Sequence, residues 1–194
     1  KTIMGFERLD QGSLSFNDVN ITRSTIDERV AQKMTYLPQE SSVFQELSVS
    51  DNLRAILELQ KNLNTAAIED QTQHLLETFR LVHLKNQKGS NLSGGERRRT
   101  EIARAMATKP KLLLLDEPFA GIDPIAINGL KSIIGEVSAQ GVAVLITDHN
   151  VRETLSLCGR AYMLYQGRCI AEGSEAELIK NKQVKETYLG TLYD

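Results

Sequence analysis

The chain has 194 residues, of which 41% are hydrophobic, and a formal net charge of -2 at pH 7. This length and composition predict a soluble globular protein with one domain, or one domain with a large insertion. The pI of about 6.0 argues against nucleic acid as a partner, because nucleic-acid-binding domains carry a basic surface. No apolar run approaches the roughly 18 residues of a membrane span, so we expect neither a span nor a secretory signal.

The first half of the chain changes from strand-like to helical sequence. Residues 12–38 combine the weakly alternating GSLSF with the β-prone MTYLP, which stops at Pro38. From Ser48 to about Lys85, apolar residues recur at helical spacing. This region therefore predicts strands and loops followed by helices.

The stretch NLSGGERRR predicts the start of another helix. Ser93 followed three residues later by Glu96 is a capping box, and Pro110 ends the helical run. Gly94 and Gly95 have no Cβ, so they leave backbone N–H groups at the helix N-terminus open to an anion. The alternative is an ordinary helix start with poor propensity.

The second half alternates apolar strands with helices. KLLLLDE at 111–117 and GVAVLITDH at 141–149 are short apolar runs, joined by a helix that ends at Gly141. Strand, helix and strand with continuously apolar strands predict a parallel sheet covered on both faces. AYMLYQGRCIAEG at 161–173 predicts a hairpin with Gly167 in its turn, and one or two helices end the chain.

Polar residues gather where ligands bind in an open parallel sheet, beyond the carboxyl ends of the strands. Asp116 and Glu117 follow the four leucines, where carboxylates can hold Mg²⁺ and orient a water molecule. His149 follows the next strand, and Gln39 follows YLP. Each of these residues alone has an ordinary structural explanation.

The first two residues, Lys1 and Thr2, match the end of the phosphate-binding pattern G-x-x-x-x-G-K-[ST]. As a dipeptide they carry almost no specificity, but the order of all these features is specific. Lys-Thr, Gln, LSGGE, LLLLDEP, GID and ITDHN resemble, in this order, the motifs of ATP-binding cassette ATPases. There LSGGE is the signature, LLLLDEP the Walker B strand, GID the D-loop and ITDHN the histidine switch. The chain is identified as a member of this family.

This resemblance implies an α/β P-loop NTPase (RecA-like) core with a parallel sheet and a helical signature subdomain. The core would comprise residues 1–39 and 108–173, the signature subdomain residues 40–107, and a C-terminal helical extension residues 174–194. YLPQESSVFQELSVSDNL, GGERRR and DHNVRET further resemble the ATPases of lipopolysaccharide exporters. The chain would then lie at the cytoplasmic face of the bacterial inner membrane, bound through its partners. An ATPase of a branched-chain amino-acid importer, or a truncated, non-hydrolysing interaction module, is the alternative.

The resemblance also implies ATP and Mg²⁺ as ligands and a second copy of the chain as partner, with two ATP molecules held between the copies. By this resemblance, Lys1 would contact the β- and γ-phosphates and His149 the γ-phosphate. Mg²⁺ would be bound by Thr2, Gln39 and Asp116, and Glu117 would contact the attacking water. The interface that holds the other copy's nucleotide would contain Ser93, Gly94, Gly95 and Asp123.

Transmembrane subunits would dock near residues 39–47, with Phe44 as an apolar anchor. The alternative is that Phe44 is a core residue. Relatives carry a basic residue where Gln45 stands, so a salt bridge to the partner is not expected there.

The sequence departs from the family at its start. The glycine-rich phosphate loop and the first strands are absent, and only Ile3 and Met4 separate Thr2 from GFERLDQG, where relatives have most of a helix. We expect that residues precede Lys1 and are missing between Thr2 and Ile3. A truncated chain is the alternative, and it would bind ATP poorly without the amide cradle.

Overall fold

The computed structural model describes residues 1–189, in two compact units that meet in sequence between Thr147 and Asp148. The first unit contains, in chain order, β1 (Ser15–Phe16), β2 (Val19–Asn20), α1 (Ile26–Ala31), β3 (Met34–Leu37), α2 (Val49–Glu58), α3 (Thr65–Thr78), α4 (Gly94–Ala107), β4 (Leu112–Asp116), α5 (Pro124–Ala139) and β5 (Ala143–Thr147), with short 3₁₀ turns at Thr2–Met4, Val82–Leu84 and Gly89–Asn91. The second contains α6 (Val151–Leu155), β6 (Ala161–Tyr165), β7 (Arg168–Gly173), α7 (Glu175–Leu178), α8 (Lys182–Val184) and a π-helical turn, Lys185–Leu189.

The predicted parallel sheet is confirmed in the first unit. β4 lies between β3 and β5 and pairs in parallel with both, with Tyr36 opposite Leu114 and Asp116 opposite Thr147. The central residues of β4 are buried, as its leucine run predicts. The expectation that both faces are covered is wrong for β5, where every second residue is exposed and Leu145 is 39% exposed. Within residues 1–189, β5 pairs only with β4 and forms an edge of the sheet.

The predicted helices between residues 48 and 107 are confirmed. Ser48 caps α2, Asn64 caps α3 and Ser93 caps α4, each by accepting a hydrogen bond from a backbone N–H in the first turn. Their apolar faces are buried at Leu53, Leu57, Leu75, Leu76, Ile102 and Ala103. α4 packs against α2, α3 and α5, so the Ser93 helix lies between the other helices and the sheet strand β3.

Helix α1 falls within residues 12–38, where the sequence predicted only strands and loops. A capping box between Thr25 and Glu28 begins it, with donor–acceptor distances of 2.7 and 3.3 Å. The T-x-x-E pattern was present in the sequence and could have revealed this helix. Arg29, in its last turn, is buried and donates hydrogen bonds to the carbonyls of Thr2, Ile3, Ile21 and Ser24.

Arg29 thereby holds the first residues of the chain against α1. Thr2–Met4 form one 3₁₀ turn, in which the Met4 N–H donates to the Lys1 carbonyl at 3.1 Å. The expectation that residues are missing between Thr2 and Ile3 stays a prediction. Where the family resemblance implies most of a helix, the chain forms only this turn.

The second unit is built on the predicted hairpin. β6 and β7 pair antiparallel, with Gly167 in the turn at φ +75°. Its core comprises Leu155, Met163, Leu178 and Val184. Residues 190–194 of the predicted C-terminal extension lie outside the described residues. The boundary between the units falls inside the 108–173 stretch assigned to the nucleotide-binding core, and the assignment of functional subdomains stays a prediction. Among the helices of residues 1–189, none is long and apolar enough to cross a bilayer.

Candidate functional site

Asp116 lies at the carboxyl end of β4, where the sequence predicted a metal-binding carboxylate. Both of its oxygens accept hydrogen bonds from hydroxyl groups of the neighbouring strands. Tyr36 of β3 donates to Oδ2 at 2.8 Å, and Thr147 of β5 donates to Oδ1 at 2.6 Å. The parallel register places these three residues at the same edge of the sheet, so the edge carries an oriented carboxylate.

Hydrogen bonding keeps this carboxylate ionised. Burial opposes the charge of Asp116, but the hydrogen bonds from Thr147 and Tyr36 and the positive charge of Lys1 hold its pKa below the usual range. Burial and the hydrogen bond to Asp116 raise the pKa of Tyr36 to about 12. Tyr36 is therefore a neutral hydrogen-bond donor and Asp116 an anion across the physiological pH range.

Glu117 and Gln39 lie beside Asp116 and contact each other. Gln39 Nε2 donates to Glu117 Oε2 at 2.7 Å, although 78 residues separate the two in sequence. Glu117 adopts a positive φ of 44°, which is uncommon for a residue with a side chain. Its backbone N–H donates to the Thr147 carbonyl at 2.7 Å, which helps to hold that conformation. The structure thus brings together the predicted glutamine and both predicted carboxylates.

Lys1 and Thr2 lie in the N-terminal turn. The Lys1 side chain is largely exposed, and its Nζ is 3.9 Å from a carboxylate oxygen of Glu7. An exposed pair at this distance contributes little to stability, so the ammonium group can turn to another anion. The charge of Lys1 acts on Asp116. The contact of Lys1 with phosphate stays a prediction.

The helix start at Ser93 has the predicted capping box. The backbone N–H of Ser93 donates to Glu96 Oε2 at 2.8 Å, and the Glu96 N–H donates to Ser93 Oγ at 3.4 Å. That contact with the Ser93 backbone lowers the pKa of Glu96. Ser93 and Gly94 are exposed, whereas Gly95 is buried and the Ser93 N–H is bonded to Glu96. Anion binding at this helix start therefore stays a prediction.

The two glycines also have a packing role that the sequence did not reveal. A Cβ on Gly95 would lie 2.8 Å from the Ala126 Cβ, and a Cβ on Gly94 would lie 3.3 Å from the Gly121 carbonyl oxygen. Asp123, which caps α5 by accepting from the Ala126 N–H at 2.9 Å, begins the helix that Gly95 contacts. The structure therefore brings the signature residues and Asp123 to adjoining helix starts.

The sequence analysis did not predict a buried ion pair that the structure shows on α4. Arg98 is only 5% exposed and pairs with Glu101 at 3.0 Å. Arg98 donates to the carbonyls of Pro38 and Asp116 at 2.8 and 2.9 Å. The sequence carried a weak signal for this pair, since a spacing of three residues places both side chains on one helix face.

Residues 41–48 form an ordered segment at the surface. Buried Asn52 accepts from the Phe44 N–H and donates to the carbonyls of Phe44, Leu47 and Ser48. The Phe44 ring is 44% exposed and lies 4.2 Å from the guanidinium carbon of Arg104. The alternative that Phe44 is a core residue is therefore wrong. Phe44 and Leu47 expose apolar surface on a segment whose backbone is fixed.

His149 belongs to the second unit, two residues after the end of β5. Its side chain is exposed, and its carbonyl accepts a hydrogen bond from the Val151 N–H at 3.0 Å. Its role at the phosphate stays a prediction.

We call the edge of the sheet that carries Gln39, Asp116 and Glu117 the acidic edge. It suits a cation that is bound partly by protein and partly by phosphate and water. Among residues 1–189, no three histidine, cysteine or acidic side chains come close enough to hold a metal ion by themselves. Mg²⁺ is usually bound by one or two carboxylates, with waters and substrate phosphates completing its shell. One ionised carboxylate at Asp116, with the Gln39 amide nearby as a further oxygen donor, fits this coordination habit, and the part of Thr2 in it stays a prediction.

Comparison with known proteins shows the family of the chain. The family described as "ABC transporter" matches residues 1–120. "Lipopolysaccharide export system ATP-binding protein LptB" of Escherichia coli (strain K12) is 47% identical over 188 residues, covering 97% of this chain and 78% of that protein. The protein of the same name from Haemophilus influenzae is 45% identical over the same shares.

Solved structures share the fold. MJ1267, an ATP-binding cassette of an ABC transporter, matches in its ADP conformation with a TM-score of 0.83 and 27% identity, over 97% of this chain and 81% of that one. cbiO1 from Clostridium perfringens, part of the transporter complex cbiONQ, matches with a TM-score of 0.83 and 23% identity over 98% and 77% of the two chains. The predicted fold class is confirmed.

Proposed function

The chain belongs to the ABC transporter family, whose members are ATP-hydrolysing enzymes, and from that premise we propose that it drives lipopolysaccharide extraction and export. In this proposal the chain is peripheral to the bacterial inner membrane at its cytoplasmic face. It acts as two copies joined to transmembrane subunits. The similarity to two lipopolysaccharide export ATP-binding proteins over 97% of the chain supports this substrate.

The observation that carries the enzymatic role is the hydrogen bond between Gln39 and Glu117 next to Asp116. A glutamate that acts on water needs a fixed carboxylate and a neighbour that orients it. Gln39 meets one Glu117 oxygen at 2.7 Å, and the Glu117 backbone is fixed by Thr147. This pair is therefore prepared to position a water molecule for attack on a phosphate.

Each predicted site residue has a separate role in the proposal. Asp116, Thr2 and Gln39 would hold Mg²⁺, which when bound neutralises charge on the phosphates. Lys1 would hold the β- and γ-phosphates as a point charge. Glu117 would orient the attacking water and accept its proton. His149 would contact the γ-phosphate.

Ser93, Gly94 and Gly95 would bind the nucleotide held by the second copy. The exposed residues at the start of α4, Ser93 and Gly94, and the positive end of the helix dipole favour a phosphate. Asp123 adjoins this helix start and would lie at the same interface between copies. ATP would therefore join two chains, and its hydrolysis would release them.

The transmembrane subunits would dock at residues 39–47. Phe44 and Leu47 provide an exposed apolar surface there, and Gln45 provides no charge for a salt bridge. A cytoplasmic helix of the partner with an apolar face suits such a surface.

The test of the enzymatic role is Glu117→Gln in the intact protein. The amide keeps the size of the side chain but cannot accept a proton, so we expect ATP binding to persist and the turnover rate to fall by about 10²–10⁴-fold. A dimer trapped by ATP should appear in size-exclusion chromatography. Glu77→Gln, at an exposed position on α3, is the matched control and should hydrolyse ATP at the parent rate. Parent-like turnover by Glu117→Gln would overturn the assigned role.

The test of the transport role is purification of the intact protein from membranes with its subunits. We expect subunits of a lipopolysaccharide exporter, and ATP-dependent release of lipopolysaccharide from vesicles that contain the complex. Recovery of amino-acid importer subunits instead would contradict the proposed substrate.

A further inference from the structure

The buried pair Arg98–Glu101 has no part in the roles assigned above. Its side chains are 6% and 3% exposed, and its nitrogen and oxygen atoms are 3.0 Å apart. Removing two charges from water is costly, and an apolar pair of similar volume packs at least as well. The hydrogen bonds of the two side chains therefore explain the pair better than its contribution to packing does.

Glu101 holds the beginning of the segment that carries Phe44. Its Oε1 accepts from the Ser42 N–H at 2.7 Å and from the Ser41 hydroxyl at 2.8 Å. The Ser42 carbonyl accepts in turn from Arg104, whose guanidinium lies over the Phe44 ring. A displacement of Phe44 by a docked partner would therefore reach Glu101 through the backbone of residues 41–44.

Arg98, the other member of the pair, contacts the backbone at the acidic edge. One guanidinium nitrogen donates to Glu101 Oε2 and to the Pro38 carbonyl, and the other donates to the Asp116 carbonyl at 2.9 Å. That carbonyl belongs to the Asp116–Glu117 peptide, whose N–H donates to Thr147. Arg98 Nε is buried without a partner among residues 1–189. The guanidinium is therefore oriented only by Glu101 and these two carbonyls.

We propose that Glu101 is a positioning residue that couples partner docking at residues 39–47 to the orientation of Glu117, with Arg98 as the intermediate. This inference rests on the proposed function. The chain of contacts runs from Ser42 through Glu101 and Arg98 to the Asp116–Glu117 peptide. Glu117 has a positive φ, so a small movement of this peptide changes where its carboxylate points. Docking thereby adjusts the group that acts on water.

Glu101→Gln tests the coupling. The amide still accepts from Ser41 and Ser42 through its oxygen, but its NH₂ group faces the donor of Arg98 and cannot bind it. ATPase rates of the intact protein are measured with and without its membrane subunits. We expect the ratio of the two rates to fall by about tenfold, because a small misplacement of a catalytic group is costly. The KM for ATP should stay at the parent value.

Two further variants keep the test decisive. Ser41→Ala removes one hydrogen bond to Glu101 and leaves the ion pair intact, so it should lower the ratio of the two ATPase rates by a smaller factor. If Glu101→Gln does not fold, an unchanged ratio in Ser41→Ala would overturn the coupling. Glu58→Gln removes an exposed charge from α2 and should leave the ratio unchanged.

The outcomes separate this inference from the function on which it rests. An unchanged ratio in Glu101→Gln, or an equal fall of both rates, would overturn the coupling while an active parent complex upholds the ATPase. A parent complex that does not hydrolyse ATP would overturn both.

Discussion

Gly95→Ala tests whether the signature helix packs as closely as the structure indicates. A Cβ at this position would lie 2.8 Å from the Ala126 Cβ of α5 and 3.8 Å from Ile122 Cγ2. Carbon atoms in ordinary contact are about 3.5–4.0 Å apart. The starts of α4 and α5 must therefore separate by on the order of 1 Å, because neither methyl group can rotate away.

The expected cost is the difference between two opposing effects. Overpacking of a close contact costs about 1–3 kcal/mol. Alanine has a higher helix propensity than glycine by about 1 kcal/mol in a helix interior, and Gly95 lies in the first turn, where the gain is smaller. We expect Gly95→Ala to lower the free energy of unfolding by about 1–2 kcal/mol. Ala126→Gly in the same chain should restore part of this loss, with a coupling energy of about 0.5–3 kcal/mol.

Urea denaturation of the parent, both single variants and the double variant measures these free energies. Gly135→Ala is the matched control, because it lies within α5 and its Cβ would meet no atom within 4 Å. The control should raise the free energy of unfolding by about 0.5–1 kcal/mol. The reasoning is refuted if Gly95→Ala stabilises the protein as Gly135→Ala does, or if the double variant shows no coupling.

Three further predictions concern the acidic edge and the docking segment. The pKa of Tyr36 is raised to about 12. Its contribution to stability is therefore full below its unfolded pKa of about 10 and is lost as the pH rises through the folded value. Tyr36→Phe should flatten the fall in unfolding free energy in this alkaline range. The pKa of Asp116 is lowered, so its contribution to stability is present above its unfolded pKa of about 3.9 and is lost as the pH falls through the folded value. Asp116→Asn should flatten the fall in unfolding free energy at acid pH. A fall as steep as that of the parent would contradict the ionised, hydrogen-bonded state of Asp116. Asn52→Ala should lower the free energy of unfolding by about 2–3 kcal/mol, because it leaves buried backbone groups unpaired. Phe44→Ala, at an exposed position, should change stability little and abolish co-purification with the membrane subunits. Equal losses of stability in the two variants would contradict the difference in burial.

Local sequence was sufficient for most of the elements. The capping box at Ser93, the apolar runs of β4 and β5 and the turn at Gly167 each depend on residues close together in the chain. The same kind of local signal was present for α1 in Thr25 and Glu28, and it was overlooked. The order of the motifs along the chain was likewise a property of the sequence, and it was enough to identify the family.

The functional contacts depend on the tertiary structure. The hydroxyl groups that orient Asp116 come from Tyr36 and Thr147, which lie 80 and 31 residues away in sequence. No local pattern marks either residue, because only the register of the parallel strands brings them to the same edge. The exposure of β5 has a similar origin, since an apolar strand is buried on both faces only where other elements cover it.

The residues that could do chemistry and most of the elements that carry them follow from local sequence, because helix caps, turns and apolar periodicity act over a few residues. Two facts follow from the folded chain alone: Gly95 is needed for a close helix contact, and Arg98, unlike its neighbouring arginines, is buried with Glu101. An arginine is exposed or buried according to the acceptors that meet its guanidinium group. Here those acceptors are the carbonyls of Pro38 and Asp116, which the folded sheet alone brings to α4.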